Sequence, residues 1–148
     1  MTATRRQARE WAIQMLTSAD MNPPEDMEAF REMFWQEIAT IDESEGGPGR
    51  RVKGKMKTFA EERALGVLKD LKDIDSTLRG MLADWDIYRL GSVERAVLRM
   101  AIWELRNTDV PKAVVINEAI DLANWFSSPK SRNLVNGILD RYAKEVRL

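Results

Sequence analysis

The stretch 114–141, VVINEAIDLANWFSSPKSRNLVNGILDR, gives the clearest indication of the fold class. Its apolar residues recur at three- and four-residue steps, which predicts two amphipathic helices separated by the corner SSPK. Ser128 and Pro129 are typical of a helix N-cap and first turn. Lys130 and Arg132 then place positive charge at a helix start, where the backbone is itself partly positive. This arrangement indicates that an anion binds there.

The rest of the chain shows the same helical periodicity, and no stretch of useful length alternates like a strand. Thr4 is expected to cap the first helix and Asn22 the second. Thr58 and Glu61 form a capping box, which predicts a third helix that apolar residues through Met81 extend toward Trp85. The predicted fold class is all-α.

Details of individual helices also follow from the pattern. The segment 93–105 is apolar on most sides, so it is predicted to be a central helix. Gly137 costs ~1 kcal/mol relative to alanine inside a helix, which suggests that another helix approaches it closely. Trp125 lies on a polar helix face, where packing against a neighbouring helix is favoured over exposure to a base or partner. The buried side of the second helix is predicted to be Met27, Phe30, Met33, Phe34, Ile38 and Ile41.

Composition limits the class of protein. A chain of 148 residues with 44% apolar and 32% charged residues is typical of one ordinary globular domain. No apolar run approaches the ~20 residues that cross a bilayer. The N-terminus has arginines followed by an amphipathic helix, which is unlike a secretory signal. We therefore expect a cytoplasmic protein without a membrane association.

Cysteine and histidine are both absent from the sequence. Disulfides, thiolate nucleophiles, Cys/His zinc sites and imidazole acid–base catalysis are therefore excluded. The sequence also contains no glycine-rich phosphate loop and no carboxylate cluster with metal-ligand spacing. We expect no catalytic residues, no metal and no cofactor, and hence a protein that is not an enzyme.

Positive charge is concentrated in three segments although the net charge is only −1. The first helix opens with Arg5, Arg6 and Arg9, the segment 50–57 holds five bases and no acid, and the last helix begins with the cations already described. Separate basic patches on a nearly neutral protein can bind a polyanion locally. The alternative is that these charges only keep the surface solvated.

Many ordered pieces of the chain resemble one family, the transcription antitermination factor NusB. The resemblance covers roughly residues 4–20 and 58–142. The pieces are RRQARE from Arg5, WDIYRL from Trp85, VERAVLRMA from Val93, WEL from Trp103, DVP from Asp109, VINEA from Val115 and LVNGILD from Leu134.

The resemblance implies a helical fold of two small packed bundles with about seven helices. The chain would be one domain, 1–148, with subdomains 1–83 and 84–148, and composition adds a flexible basic loop at 43–57. NusB proteins are not enzymes. They bind single-stranded boxA-type RNA in ribosomal RNA transcripts together with the ribosomal protein NusE, join the RNA polymerase antitermination complex and suppress premature termination.

The family's functional positions can be carried over residue by residue. The resemblance places the NusE contact at Glu94 and Thr17, although Thr17 stands where the family commonly has an aromatic. Leu134 likewise replaces an RNA-side aromatic found in some relatives, which removes one stacking ring. The expected RNA-binding residues are Arg5, Arg6, Arg9, Lys130, Ser131, Arg132, Asn133 and Leu134.

These expectations make a mutational prediction and leave alternatives open. We expect the two cationic segments to form one groove, so Arg6→Ala or Arg9→Ala should weaken RNA binding without changing helicity. The basic segment 50–57 has no counterpart in the family pattern, and a tolerated insertion is favoured over added phosphate affinity. The protein could instead act beside a ribosomal RNA methyltransferase, or as a helical adaptor that never binds RNA. The sequence does not distinguish a monomer from a homodimer.

Overall fold

The computed structural model describes residues 3–44, 54–82 and 86–146 of the chain. In these ranges it has seven α-helices, a single 3-10 turn at Ile87–Arg89 and no strand, which confirms the predicted all-α fold. The helices are α1 Arg5–Met21, α2 Met27–Ser44, α3 Lys55–Lys69, α4 Leu71–Met81, α5 Ser92–Asn107, α6 Lys112–Phe126 and α7 Pro129–Glu145. No helix in the described ranges is long and apolar enough to span a bilayer.

The central helix is α5, as the apolar segment 93–105 predicts. It packs against α1, α3 and α4 on one side and against α6 and α7 on the other. Val97, Leu98 and Ile102 are fully buried because neighbours cover α5 from several directions. One continuous apolar core therefore runs from α1 to α7. The division into subdomains between residues 83 and 84 stays a prediction, since 83–85 lie outside the described residues.

Helix α2 begins later than predicted. Asn22 does not cap it; the Asn22 N–H donates to the carbonyl of Ser18 and so closes the end of α1. The cap of α2 is Asp26, whose carboxylate accepts from the N–H groups of Glu28 and Ala29. Each of the consecutive prolines, at 23 and 24, disfavours a helical conformation in the residue before it, so the first turn of α2 begins past them.

The connection between α2 and α3 is shorter at both ends than the predicted loop 43–57. Helix α2 continues to Ser44 and α3 begins at Lys55, so only 45–54 separate the two helices, and 45–53 lie outside the described residues. Thr58 is therefore inside α3 and is not its cap. Gly54, with φ of +76°, precedes the first turn in a left-handed conformation that favours glycine.

The predicted long third helix is two helices. It breaks at Asp70, which separates α3 from α4. The Asp70 N–H donates to Gly66 at 3.1 Å and the Asp70 carbonyl accepts from Ile74 at 2.9 Å. Helical hydrogen bonds therefore continue across the bend, and the spacing of apolar residues does not reveal it.

Helix α2 buries only part of the predicted face: Phe34 is buried, and Phe30 and Ile38 pack partly buried against the core, as predicted. Phe34 and Trp35 are buried, and Trp35 meets both Trp11 and Phe34 edge-on at 5.5 and 5.1 Å between ring centroids. Met27 and Met33 are exposed, contrary to the prediction. Trp35, which the prediction did not include, joins Phe34 in the core, whereas the two methionines face outward; Ile41 lies outside the residues whose side chains are described.

The expectation that another helix approaches Gly137 closely is also wrong, because no neighbouring atom of the described residues lies within 4 Å of where its Cβ would stand. The crowded glycine is Gly66 on α3. The indole ring of Trp103 lies against its backbone, closer than any Cβ would allow. An α3 residue without a side chain therefore permits the contact between α3 and the central helix.

Candidate nucleic-acid interface

The start of α1 is fastened to the middle of α6 by Arg6. Its Nε donates to Glu118 at 2.5 Å and its Nη2 to Asp121 at 3.2 Å. The hydrogen bond with Glu118 is the main cause that raises the pKa of Arg6, and the same bond lowers the pKa of Glu118. Thr4 caps α1 as predicted, with its hydroxyl accepting from the Gln7 N–H at 3.1 Å.

Trp125 is the most exposed aromatic ring on this side of the described structure. It follows Asp121 by one helical turn and Glu118 by two, so the three side chains share one face of α6. The ring is 75% exposed, so the expectation that it packs against a neighbouring helix is wrong. An exposed indole held on a rigid helix can stack on a planar ligand.

The start of α7 carries the charge arrangement that the sequence predicts. Ser128 is the N-cap, accepting from the Ser131 N–H at 3.2 Å, and Pro129 lies in the first turn. Lys130 and Arg132 are exposed, and within the described ranges no carboxylate lies within ion-pair distance of either. No acidic residue of α7 itself occupies the first turn, and the carboxylate that reaches this helix start, Glu94 of α5, is bound by the Ser131 hydroxyl.

Helix α6 connects the two cationic segments. Arg6 is bound at Asp121, and Phe126 ends α6 only three residues before Pro129 begins α7. At 1.5 Å per residue, Asp121 lies about 7.5 Å from the end of α6. Arg5 and Asn133 are exposed at the two ends of this surface, and Leu134 is half-buried. We call the surface formed by Arg5, Arg6, the Glu118–Trp125 face of α6, Lys130, Arg132 and Asn133 the α6 strip.

Arg9 does not belong to the α6 strip. It is 2% exposed, and its guanidinium binds the Glu104 carboxylate of α5 at 2.9 and 3.2 Å. Arg63 donates to the same carboxylate at 2.5 Å, and the Phe59 ring lies beside both arginines. Burial is the main cause that lowers the pKa of Arg63, although Glu104 opposes it. The expectation that Arg9 presents its charge to RNA is therefore corrected: a buried carboxylate on the central helix takes it up.

Ser131 is also buried, with 5% exposure, and is corrected in the same way. Its hydroxyl donates to the Glu94 carboxylate at the start of α5 and lies 2.8 Å from the Ser127 hydroxyl. Ser131 therefore positions the first turn of α7 instead of offering its side chain to a ligand. The contact joins a residue expected at the RNA interface to one expected at the NusE interface.

The two residues expected to face NusE lie near one end of α5. Thr17 is half-buried near the end of α1, where its hydroxyl donates to the Gln14 carbonyl at 3.0 Å. One turn further, Asp20 accepts from Arg95 at 2.7 Å, and Arg95 follows Glu94 directly. The end of α1 therefore lies beside the start of α5.

A buried ion network fixes that arrangement. Arg99 donates to Asp75 at 2.8 and 2.9 Å and to Asp20 at 3.1 Å. Burial alone would raise the pKa of Asp20, but hydrogen bonds from Arg95 and Arg99 outweigh it and lower the pKa. Burial alone would likewise lower the pKa of Arg99, but its hydrogen bonds to Asp75 and Asp20 outweigh that effect and raise it. These partners are far apart in the sequence, so spacing alone does not reveal them.

No group of carboxylates in the described ranges has the geometry to hold a metal ion. The acids that hold Arg6 were not among the predicted site residues, although Glu118 and Asp121 stand at the three-residue spacing of one helix face. That spacing was the available signal.

Comparison with known proteins identifies the family. The sequence profile of the NusB family matches residues 6–144. A curated relative from a Nitratiruptor species, named transcription antitermination protein NusB, is 37% identical over 145 residues, which is 98% of this chain and 95% of the relative. The chain belongs to the NusB family. This confirms the resemblance drawn from the sequence motifs.

Solved NusB structures share the fold. That of T. maritima NusB is 33% identical with a TM-score of 0.79, covering 98% of this chain and 94% of that one. A complex of the antitermination factors NusB and NusE with double-stranded RNA contains a chain with a TM-score of 0.72. At 25% identity over 95% of this chain and 96% of that one, it supports the shared NusB fold. Family membership makes the protein an antitermination factor and not an enzyme, as the sequence predicts.

Proposed function

We propose that this NusB protein binds boxA-type single-stranded RNA in ribosomal RNA transcripts together with NusE, and that the assembly modifies RNA polymerase against premature termination. Such a role takes place in the cytoplasm. The observation that carries the proposal is the α6 strip, in which an exposed indole, Trp125, lies between two groups of cations. A single strand can bind to both the cations and the indole, because its phosphates and its unpaired base faces are accessible together.

Three side chains of the strip suit phosphate binding. Arg5, Lys130 and Arg132 are exposed, and within the described ranges none has a carboxylate at ion-pair distance. The start of α7 adds one backbone donor, the Lys130 N–H, because Pro129 has none and the N–H groups of Ser131 and Arg132 bond to Ser128. These groups would supply a salt-dependent attraction that does not depend on sequence.

Base recognition would come from the face of α6. Trp125 offers a stacking surface, and Asp121, whose side chain is 60% exposed, offers a carboxylate that accepts hydrogen bonds. A carboxylate repels phosphate but accepts from the amino groups of bases, so it favours a base over the backbone at that position. Arg6 acts as a positioning residue, since it holds both acids and the start of α1.

NusE would bind at the end of α1 and the start of α5, where Thr17 and Glu94 lie. Because Glu94 accepts a hydrogen bond from Ser131 of α7, this surface is directly linked to the α6 strip. A partner that fixes Glu94 would also fix the first turn of α7. The expected result is that RNA and NusE each increase affinity for the other, as coupled sites require.

The experiment is a filter-binding titration with boxA-type RNA and with a scrambled RNA of equal length, with and without NusE, at several salt concentrations. We expect modest binding alone, tighter binding with NusE, preference for the boxA-type sequence, and affinity that falls as salt rises. Equal and negligible binding of both RNAs in the presence of NusE would contradict the proposal and favour an adaptor that does not bind RNA.

A further inference from the structure

A second basic groove shares Arg5 with the α6 strip. Its walls are the start of α1, the first turns of α3 and the connection between α5 and α6, and it encloses about 1210 Å³. That volume exceeds the ~300–1,000 Å³ typical of pockets for drug-sized ligands. The groove is therefore large enough for a segment of a polymer.

The cations of the groove differ in whether they are already neutralised. Arg9 is bound by Glu104, and Arg31 is bound by Glu28 and Glu61. In the described part of the chain, neither Arg5 nor Lys55 has a carboxylate within ion-pair distance, and the Lys57 ammonium lies 5.7 Å from the Trp35 ring centroid.

Three acidic residues, Glu61, Glu62 and Asp109, also line the groove and offset part of its positive charge. Glu61 is occupied by Arg31 and by the Trp35 indole N–H, which donates at 2.7 Å. Among the described residues that line the groove, Glu62 and Asp109 remain, against three cations without a carboxylate at ion-pair distance: Arg5, Lys55 and Lys57. A modest excess of positive charge is left for an anion.

Backbone groups add to that excess. Helix α3 begins at Lys55 without a side-chain cap and without an acid in its first turn. Helix α6, preceded by Pro111 at the rim, likewise has neither. Within the described residues, two helix starts without a first-turn acid therefore border one groove that already holds lysines.

The rest of the wall is apolar. Met56, Val110, Pro111 and Val114 line it, and Val114 is 43% exposed. Apolar surface beside cations suits a chain that alternates phosphates with sugars and bases. Arg5 lines this groove and also ends the α6 strip, so one strand could pass from one surface to the other.

We propose that this groove binds RNA that flanks the boxA-type segment, through its phosphates and without sequence preference. The inference rests on the proposed function, because the α6 strip would hold the segment that is recognised. It gives Lys55 and Lys57 a role that their sequence pattern alone left open.

The test compares a short boxA-type oligonucleotide with the same oligonucleotide carrying uridine tails at both ends. The test variant is Lys55→Gln with Lys57→Gln. The matched control is Lys69→Gln with Lys72→Gln, since Lys69 and Lys72 are exposed and Lys69 lies about 21 Å along α3 from Lys55. Because Lys57 lies against the Trp35 ring, its replacement can affect stability, so Lys55→Gln alone is measured beside the double variant. Thermal unfolding of every variant shows whether it is folded.

In the wild type and the control, we expect the tails to raise affinity. In the test variant, we expect that gain in affinity to shrink about 3- to 10-fold. We also expect the slope of log affinity against log salt concentration for tailed RNA to become shallower by about 1.4, since each of the two lost phosphate contacts on a single strand contributes ~0.7. Affinity for the short oligonucleotide should stay within about twofold. If the tails still raise affinity as much in Lys55→Gln and in the double test variant as in the wild type, the inference is overturned. It is also overturned if the tails do not raise affinity in the wild type. Neither result contradicts the proposed function. Failure of the wild type to bind the short oligonucleotide would overturn both.

Discussion

Ser131 in the first turn of α7 donates a hydrogen bond to Glu94 in the first turn of α5. The Ser127 hydroxyl lies 3.3 Å from the same carboxylate oxygen. Through this contact, the proposed NusE surface and the proposed RNA surface share one partly buried hydrogen bond. The arrangement accounts for how a partner at one site could affect affinity at the other without a large conformational change.

Ser131→Ala should reduce that coupling. We expect RNA affinity measured without NusE to change little, while the increase that NusE produces becomes several-fold smaller. Stability should fall by about 1.5–3 kcal/mol, because the Glu94 carboxylate loses a charge-assisted bond. The measurements are RNA titrations with and without NusE, together with urea unfolding. Ser76→Ala, at an exposed position of α4, is the control; an unchanged NusE effect in Ser131→Ala would contradict the coupling.

Arg9→Ala should lower the stability of the protein, so its effect is not confined to RNA binding. Removing Arg9 leaves Glu104 with Arg63 alone in a buried site, and breaking such a pair costs about 3–5 kcal/mol. This replaces the sequence-based expectation that helicity is preserved. Circular dichroism during thermal unfolding provides the measurement.

Arg5→Ala is the matched comparison. Arg5 is exposed, so its unfolding curve should match that of the wild type while RNA affinity falls. Wild-type stability in Arg9→Ala would show that the Glu104 pair is not structural.

Trp125→Ala should weaken RNA binding without affecting the fold. The ring is 75% exposed, so the core loses little, whereas stacking on an aromatic contributes about 1–3 kcal/mol per base. Trp125→Phe should retain part of the affinity, and Asn124→Ala, exposed beside it, should retain all of it. Fluorescence anisotropy with labelled RNA measures the series. Equal affinities for wild type and Trp125→Ala would remove the stacking role.

Acid should destabilise the protein partly through Asp20. Hydrogen bonds from Arg95 and Arg99 outweigh burial and hold the pKa of Asp20 below its ordinary value of 3.8. Because the folded pKa is lower than the unfolded one, the stabilisation is complete above the unfolded value and is lost as pH falls through the folded value. Asp20→Asn should therefore be less stable than wild type at neutral pH, with the difference narrowing below about pH 4.

Urea unfolding across that pH range measures the effect. Glu32→Gln, an exposed change of the same charge on α2, is the control. A difference between Asp20→Asn and wild type that is constant with pH would contradict the assignment.

Local chemistry explains what could be predicted from the sequence. The caps Thr4 and Ser128 act on N–H groups three residues away, so they are visible in a short stretch. The central helix follows from its own apolar composition. The family motifs predicted the shared fold because they are spread over most of the chain.

The rest depends on contacts between distant residues. Arg9 and Glu104 are 95 positions apart, and nothing in the spacing of α1 separates a buried arginine from the exposed Arg5. Ser131 resembles a polar first-turn residue until Glu94 is placed against it. Asp26, and not Asn22, caps α2 because each of the two prolines between them disfavours a helical conformation in the residue before it.

The central claim is that the beginnings of α1 and α7 form one RNA surface across the end of α6. Backbone amide NMR of the full chain during titration with a short boxA-type RNA tests it most directly. The account predicts that amides near Arg5, Trp125 and Lys130 shift together along a single binding curve. Shifts confined to one of the two helix beginnings, or two curves with different midpoints, would contradict it.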